Sequence, residues 1–115
     1  MLDKEGTSES LPEIAPHPIT KIAALRSAKG EIYVFYQAQD LSVRVLVLVP
    51  GKGWTHQETL VLGSEEVLAG AALAAVAGGW SEARLFYITR QSTIGEVYQP
   101  EGGRWTRSKY LISLA

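Results

Sequence analysis

Two residues of opposite charge, Arg84 and Glu96, are spaced so that they could meet on neighbouring β-strands. They lie in two stretches rich in strand-forming residues, ARLFYI and TIGEVYQ, which a short polar turn separates. If the hairpin turns about Arg90, the two side chains lie directly opposite each other on one face of the sheet. A guanidinium donates hydrogen bonds and a carboxylate accepts them, so the pair could bind a ligand that carries several hydroxyl groups.

The same pair could also serve the fold alone. Opposite charges across two strands are a common surface feature and contribute from a few tenths to about 1 kcal/mol. The spacing by itself therefore leaves a ligand site and a surface ion pair as alternatives.

The sequence does not indicate catalysis. Glycoside hydrolysis needs two carboxylates that face one bond, but Glu101 lies in a turn and Glu82 is expected at a strand end. Neither His17 nor His56 has a cluster of metal ligands around it. We therefore predict a protein with no catalytic residues, no bound metal and no cofactor.

An internal repeat indicates which elements position the charged pair. Displacing the sequence by 51 residues aligns residues 19–64 with residues 70–115 and gives nine identities. The identities between rare aromatic residues are Phe35/Phe86 and Trp54/Trp105. A fixed offset of this size predicts one supersecondary unit per period.

Each repeat is predicted to form four short strands. They are TKIAAL, EIYVFY, SVRVLVLV and WTHQETLVL in the first repeat, and GAALAAV, ARLFYI, TIGEVYQ and WTRSKYLIS in the second. The segment VLAGAALAAVAGG also has helical propensity, and a short helix there is the alternative. Four-stranded units of this length are typical of β-propeller blades.

We therefore predict an all-β chain of two propeller blades. Residues 1–18 form a Pro-rich tail or linker, residues 19–66 the first blade and residues 67–115 the second. Two blades cannot close a ring, and alone they would leave apolar faces and sheet edges exposed. Either several copies assemble the propeller, or the chain is part of a longer one.

The string ARLFYITRQSTIGEVYQPEGGRWT resembles the blade motif of the fungal and bacterial fucose-binding propeller lectins. That motif runs from an arginine in one strand to a glutamate in the next, then to a Gly-rich turn ending in tryptophan. These positions correspond to Arg84, Glu96 and Trp105. The first repeat has Tyr33 and Val45 in place of the arginine and glutamate, so we predict that its site is inactive.

The resemblance covers residues 19–115 and implies a lectin that binds fucosylated glycans without chemical conversion. It implies that three two-bladed chains form a six-bladed ring, and that an aromatic ring from the adjoining blade, Trp54, completes the Arg84–Glu96 site. Trp105 and Tyr98 are further candidate aromatic contacts. The alternative is a structural or interaction propeller module whose sugar sites have decayed.

Composition excludes several other classes of protein. The chain has 115 residues, a net charge of −1 and no cysteine, which excludes disulfide scaffolds and thiol nucleophiles. A near-neutral charge is unlike that of nucleic-acid-binding domains. The most apolar run, residues 67–77, is about half of the roughly 20 residues that a transmembrane helix needs. No signal peptide is visible in residues 1–18, so we expect a cytoplasmic or unconventionally secreted protein.

Overall fold

The computed structural model describes residues 16–18, 20–51, 53–54, 59–78, 82–100, 103–108 and 112–113. Within these ranges the regular structure consists of β-strands in two antiparallel sheets. Blade 1 contains β1 (Ile22–Arg26), β2 (Ile32–Gln37), β3 (Val43–Val49), β4 (Gly53–Trp54) and β5 (Thr59–Leu62). Blade 2 contains β6 (Leu73–Gly78), β7 (Glu82–Ile88), β8 (Thr93–Gln99), β9 (Thr106–Arg107) and β10 (Ile112–Ser113).

Both sheets have the same topology. Three strands follow one another as a meander, and two short segments pair with the outer edge of the third strand. These segments, β4 with β5 and β9 with β10, correspond to the predicted fourth strand, which is interrupted in each blade. The predicted all-β architecture of two four-stranded units is thus confirmed, and strand β6 lies within the segment with helical propensity.

The two long hairpins turn in the same way. Thr89 N donates to Thr93 O at 2.8 Å and Ser92 N to Thr89 O at 3.0 Å, which closes a loop of residues 90–92. Ser92 has a φ of 63° and its repeat equivalent Leu41 a φ of 73°. A left-handed residue at the end of a three-residue loop is a common hairpin geometry, and it fixes the register of the following strand.

The residues that precede each blade also follow the repeat. Pro16 forms an isolated bridge with Ala38, and Val67 forms the equivalent bridge with Thr89. Of the predicted Pro-rich tail, residues 1–15 lie outside the described residues. We call residues 63–72, between β5 and β6, the connector. The described end of the tail, from Pro16, therefore runs along blade 1 as the connector runs along blade 2.

The hydrophobic core lies between the two blades. We call the face that carries Phe35 in blade 1 and Phe86 in blade 2 the front face, and the opposite side the back face. The front face of blade 1 contributes the fully buried Phe35 and Val45, and the back face of blade 2 contributes Leu85 and Val97. Alternating residues of each strand thus bury one blade against the other.

Each blade leaves its other face open within the chain. On the back of blade 1, Ile22 is 68% exposed and Leu60 is 52% exposed. On the front of blade 2, Val76 is 46% exposed. A two-blade chain therefore presents two different partly apolar faces, one at each end of the stack.

The connector between the blades is held by polar side chains from both. The Gln37 side chain is buried, and its Nε2 donates to the carbonyl oxygens of Leu41 at 3.0 Å and Leu68 at 3.3 Å. Its Oε1 accepts from Gly70 N at 2.8 Å. From blade 2, the Arg107 guanidinium donates hydrogen bonds to both carboxylate oxygens of Glu66, with Nε 2.7 Å from Oε1.

The first prediction concerns the core between the blades. We expect Leu85→Ala to lower the free energy of unfolding by about 2–5 kcal/mol, because it opens a cavity in the packed contact between the sheets. The exposed Leu68→Ala should change it by less than about 0.5 kcal/mol. Urea unfolding followed by tryptophan fluorescence measures both, and equal effects would contradict a shared core.

The second prediction concerns the ion pair that holds the connector. Hydrogen bonds from Arg107 lower the pKa of Glu66, although partial burial opposes this shift. The pair therefore stabilises the fold above the usual glutamate pKa of about 4.3, and this contribution is lost as the pH falls further. Between about pH 7 and pH 3, the wild-type protein should lose more stability than Glu66→Gln. Parallel urea titrations measure the difference, and identical pH profiles would refute the prediction.

Candidate functional site

Arg84 and Glu96 meet on the front face of blade 2. Arg84 Nη1 donates to Glu96 Oε2 at 2.5 Å, and the two side chains are 34% and 19% exposed. The pair is therefore half-buried, in surroundings where a charged hydrogen bond is stronger than in open water.

The predicted register of this pair is wrong by two residues. Arg84 lies opposite Tyr98, and Glu96 lies opposite Phe86. The hairpin is centred on Gln91 rather than Arg90, because its loop contains three residues. Since side chains alternate with a period of two, the shift keeps Arg84 and Glu96 on one face as diagonal neighbours.

Tyr98 joins the charged pair. The central carbon of the Arg84 guanidinium lies 5.3 Å from the centre of the Tyr98 ring, within the range of a cation–π contact. The guanidinium is thus held between a carboxylate and an aromatic ring. Such an arrangement presents donors, acceptors and an apolar surface within one small area.

The site opens away from blade 1. The neighbours of Arg84 along β7, Ala83 and Leu85, are buried in the core between the blades, so Arg84 itself points to the opposite side. Beside it runs a shallow apolar groove of about 180 Å³ that is lined in part by Phe86 and Ile94. The described part of the front face of blade 2 is therefore not covered by blade 1.

The equivalent position in blade 1 is a cleft between the two blades, with a volume of about 260 Å³. Its lining consists of Glu31, Tyr33, Val45, Val47, Val49, Thr59, Gln99 and Trp105. Trp105 comes from blade 2 and meets the Phe35 ring edge-on, with centroids 5.6 Å apart. An aromatic side chain of one blade thus lines the site of the preceding blade.

The structure separates the two tryptophans of the motif. Trp105 lies in the cleft beside Tyr33 and not beside Arg84. The backbone of Trp54 pairs with Leu48 in blade 1, so Trp54 belongs to the sheet that does not carry Arg84. Among the described side chains of one chain, Arg84, Glu96 and Tyr98 come together, while Trp105 lies in the other cleft.

Two polar residues of the cleft were missed in the sequence reasoning. Glu31 precedes Tyr33 by two positions and lies on the same face. Its identity with Glu82 at the repeat offset is the one sequence feature that could have pointed to it. Gln99 accepts a hydrogen bond from the Tyr33 hydroxyl at 3.4 Å, and no sequence pattern pointed to it. Burial, and to a lesser extent the negative charge of Glu31, raise the pKa of Tyr33, so its hydroxyl remains a donor at neutral pH.

Arg44 does not supply the missing guanidinium of blade 1. Its register partner is Tyr36, on the back face, and its Nε donates to Ser42 Oγ at 3.0 Å. Strand alternation therefore points Arg44 away from the Tyr33 site.

The described ranges contain neither a metal-ligand cluster nor a candidate membrane span. These residues contain no group of three or more His, Asp or Glu side chains that could hold a metal ion. Over the same part of the chain, no helix has the length and apolarity needed to cross a membrane.

Comparison with known proteins shows the fold. By sequence, the chain matches no protein-family profile and no curated protein. By structure it is similar to AofleA from Arthrobotrys oligospora, with a TM-score of 0.73 and 20% identity. The match covers 87% of this chain and 29% of that one, so this chain spans less than a third of its neighbour's length.

A second similar structure is a variant of the same protein, with a TM-score of 0.70 and 20% identity over 84% of this chain and 28% of the other. In it, three arginines are replaced by alanine, and their constant spacing is close to the repeat period found here.

Proposed function

We propose that this protein is a lectin that binds fucose-like sugars on the front face of blade 2 and does not convert them. The observation that carries the proposal is the Arg84–Glu96 pair, 2.5 Å apart, on a partly apolar open face beside Tyr98. The regular spacing of the substituted arginines in the structural neighbour supports a role for one arginine per repeat.

The chemistry of the pair suits a six-membered sugar. Such a sugar has hydroxyl groups around its edge and an apolar C–H face. The guanidinium of Arg84 would donate to hydroxyl and ring oxygens, while the carboxylate of Glu96 would accept from hydroxyl groups. An aromatic ring would cover the apolar face of the sugar.

We propose that a second copy of the chain supplies this ring. Within the chain, the front face of blade 1 receives the back face of blade 2, and Trp105 lines the cleft that results. If a second copy packs in the same way, the back face of its blade 1 lies against the front face of blade 2 of the first copy. Trp54 of that copy, the repeat equivalent of Trp105, would then face Arg84.

This head-to-tail contact joins two different surfaces, so repetition leads to a ring if the rotation closes. Three chains of two blades give six blades, which is the trimer that we favour. Fucosylated glycans are the proposed partners, and several sites on one face of such a ring would add avidity to modest single-site affinity.

The third prediction tests the sugar site. Arg84→Ala should abolish the binding of methyl α-L-fucoside without unfolding the protein, because it removes the main hydrogen-bond donor. Arg90→Ala, in the exposed turn between β7 and β8, is the matched control and should bind as the wild type does. Calorimetric titration measures affinity and stoichiometry. Unchanged binding by Arg84→Ala would refute the site, and no binding by the wild type would favour a structural module.

The fourth prediction tests the shared site. Ile22 lies on the open back face of blade 1, while its equivalent in blade 2, Leu73, packs against the core. Ile22→Lys should therefore yield monomers in analytical ultracentrifugation, since it places a charge in the contact between copies. It should also weaken fucoside binding, although Arg84 and Glu96 are intact. The control Gln91→Lys, in a turn, should remain a trimer. A trimeric Ile22→Lys would contradict this arrangement.

A further inference from the structure

The cleft between the two blades differs in charge from the Arg84 site. Among the described residues that line it, Glu31 is the single side chain with a charge at neutral pH. Tyr33 and Val45 take the positions of Arg84 and Glu96, so the guanidinium that would balance a carboxylate is absent from this lining. The described lining therefore carries one negative charge, whereas the Arg84–Glu96 pair is neutral overall.

The Glu31 carboxylate is held in position. Ser27 Oγ donates to Glu31 Oε1 at 3.2 Å, and Ser27 Oγ also accepts a hydrogen bond from Glu31 N at 3.1 Å. Ser27 itself is buried at the end of β1. A carboxylate anchored in this way loses less conformational entropy on binding a ligand than a mobile surface glutamate does.

Two aromatic side chains, Trp105 and Tyr33, and the amide of Gln99 also line the cleft. Trp105 is fixed by its edge-on contact with Phe35, and the Tyr33 hydroxyl donates to Gln99. Gln99 Nε2 in turn donates to Gly103 O at 3.2 Å. The faces of indole and phenol rings attract cations, and an indole ring also packs against the C–H face of a sugar.

We propose that this cleft is a second binding site, specific for an amino sugar with an unsubstituted ammonium group. The ammonium group would pair with Glu31, the sugar face would lie against Trp105, and Tyr33, Gln99 and Thr59 would contact hydroxyl groups. The volume of about 260 Å³ lies below the 300–1,000 Å³ typical of larger ligands and suits one monosaccharide. The proposal extends the lectin function proposed above to a second ligand class, and it replaces the expectation that this site is inactive.

The test compares glucosamine with N-acetylglucosamine, which has the same ring but carries no charge on nitrogen. Titrations of the full chain are followed through the indole N–H signal of Trp105, assigned with Trp105→Phe. We expect saturable shifts with glucosamine, at least tenfold weaker binding of N-acetylglucosamine, and weaker glucosamine binding as salt is added. Glu31→Gln should lose at least tenfold in affinity for glucosamine, whereas the exposed control Glu65→Gln should not change.

Equal binding of the two sugars, unchanged binding by Glu31→Gln, or no shift with glucosamine would each overturn the proposal. A parallel titration with methyl α-L-fucoside distinguishes failure of the cleft proposal from failure of the Arg84 site. Arg84→Ala should lose the fucoside and retain glucosamine, while Glu31→Gln should show the reverse. A wild-type protein that binds the fucoside alone would refute the cleft proposal and leave the lectin proposal standing. Glucosamine binding alone would refute the fucose site and support the cleft.

Discussion

The packing of one blade on the next is the constraint on which the rest of this structure depends. A four-stranded antiparallel sheet with two apolar faces cannot bury either face by itself. Here the front face of blade 1 is buried against the back face of blade 2, with Phe35 and Leu85 at the centre. The connector lies between these two blades and is bonded to both, by Gln37 of blade 1 and Arg107 of blade 2. A chain of two blades necessarily ends with one front face and one back face uncovered.

Blade packing also places equivalent positions of the two repeats in different surroundings. Tyr33 and Val45 lie on the covered front face, where they line the cleft against blade 2, whereas Arg84 and Glu96 lie on the open front face, where they pair and remain partly hydrated. Gln37 bonds to the connector within the chain. Its equivalent, Ile88, lines the apolar groove on the front face of blade 2. The two sites thus differ in whether blade 2 covers them within the chain.

Most of the fold could be predicted from the repeat, and the main error was local. Alternating Val, Ile, Tyr and Phe residues predicted the strands, and the constant offset predicted two equal sheets. The hairpin register was missed because a three-residue loop with Ser92 in the left-handed region has no strong sequence signal without glycine. The shared face of Arg84 and Glu96 survived this error, since an even shift preserves alternation. The cleft residue Gln99 was not predictable, because its contact with Tyr33 joins positions 66 residues apart.

The sequence by itself determined the strands, their number per repeat and the face on which each side chain lies, because these depend on local periodicity and on the repeat. It also determined that Arg84 and Glu96 share a face. Only the tertiary structure decided which front face is covered and which is open, because that depends on the direction in which the blades stack. The same stacking placed Trp105 beside Tyr33 and Glu31 rather than beside Arg84. Contacts between blades join residues distant in the chain, and no local pattern encodes them.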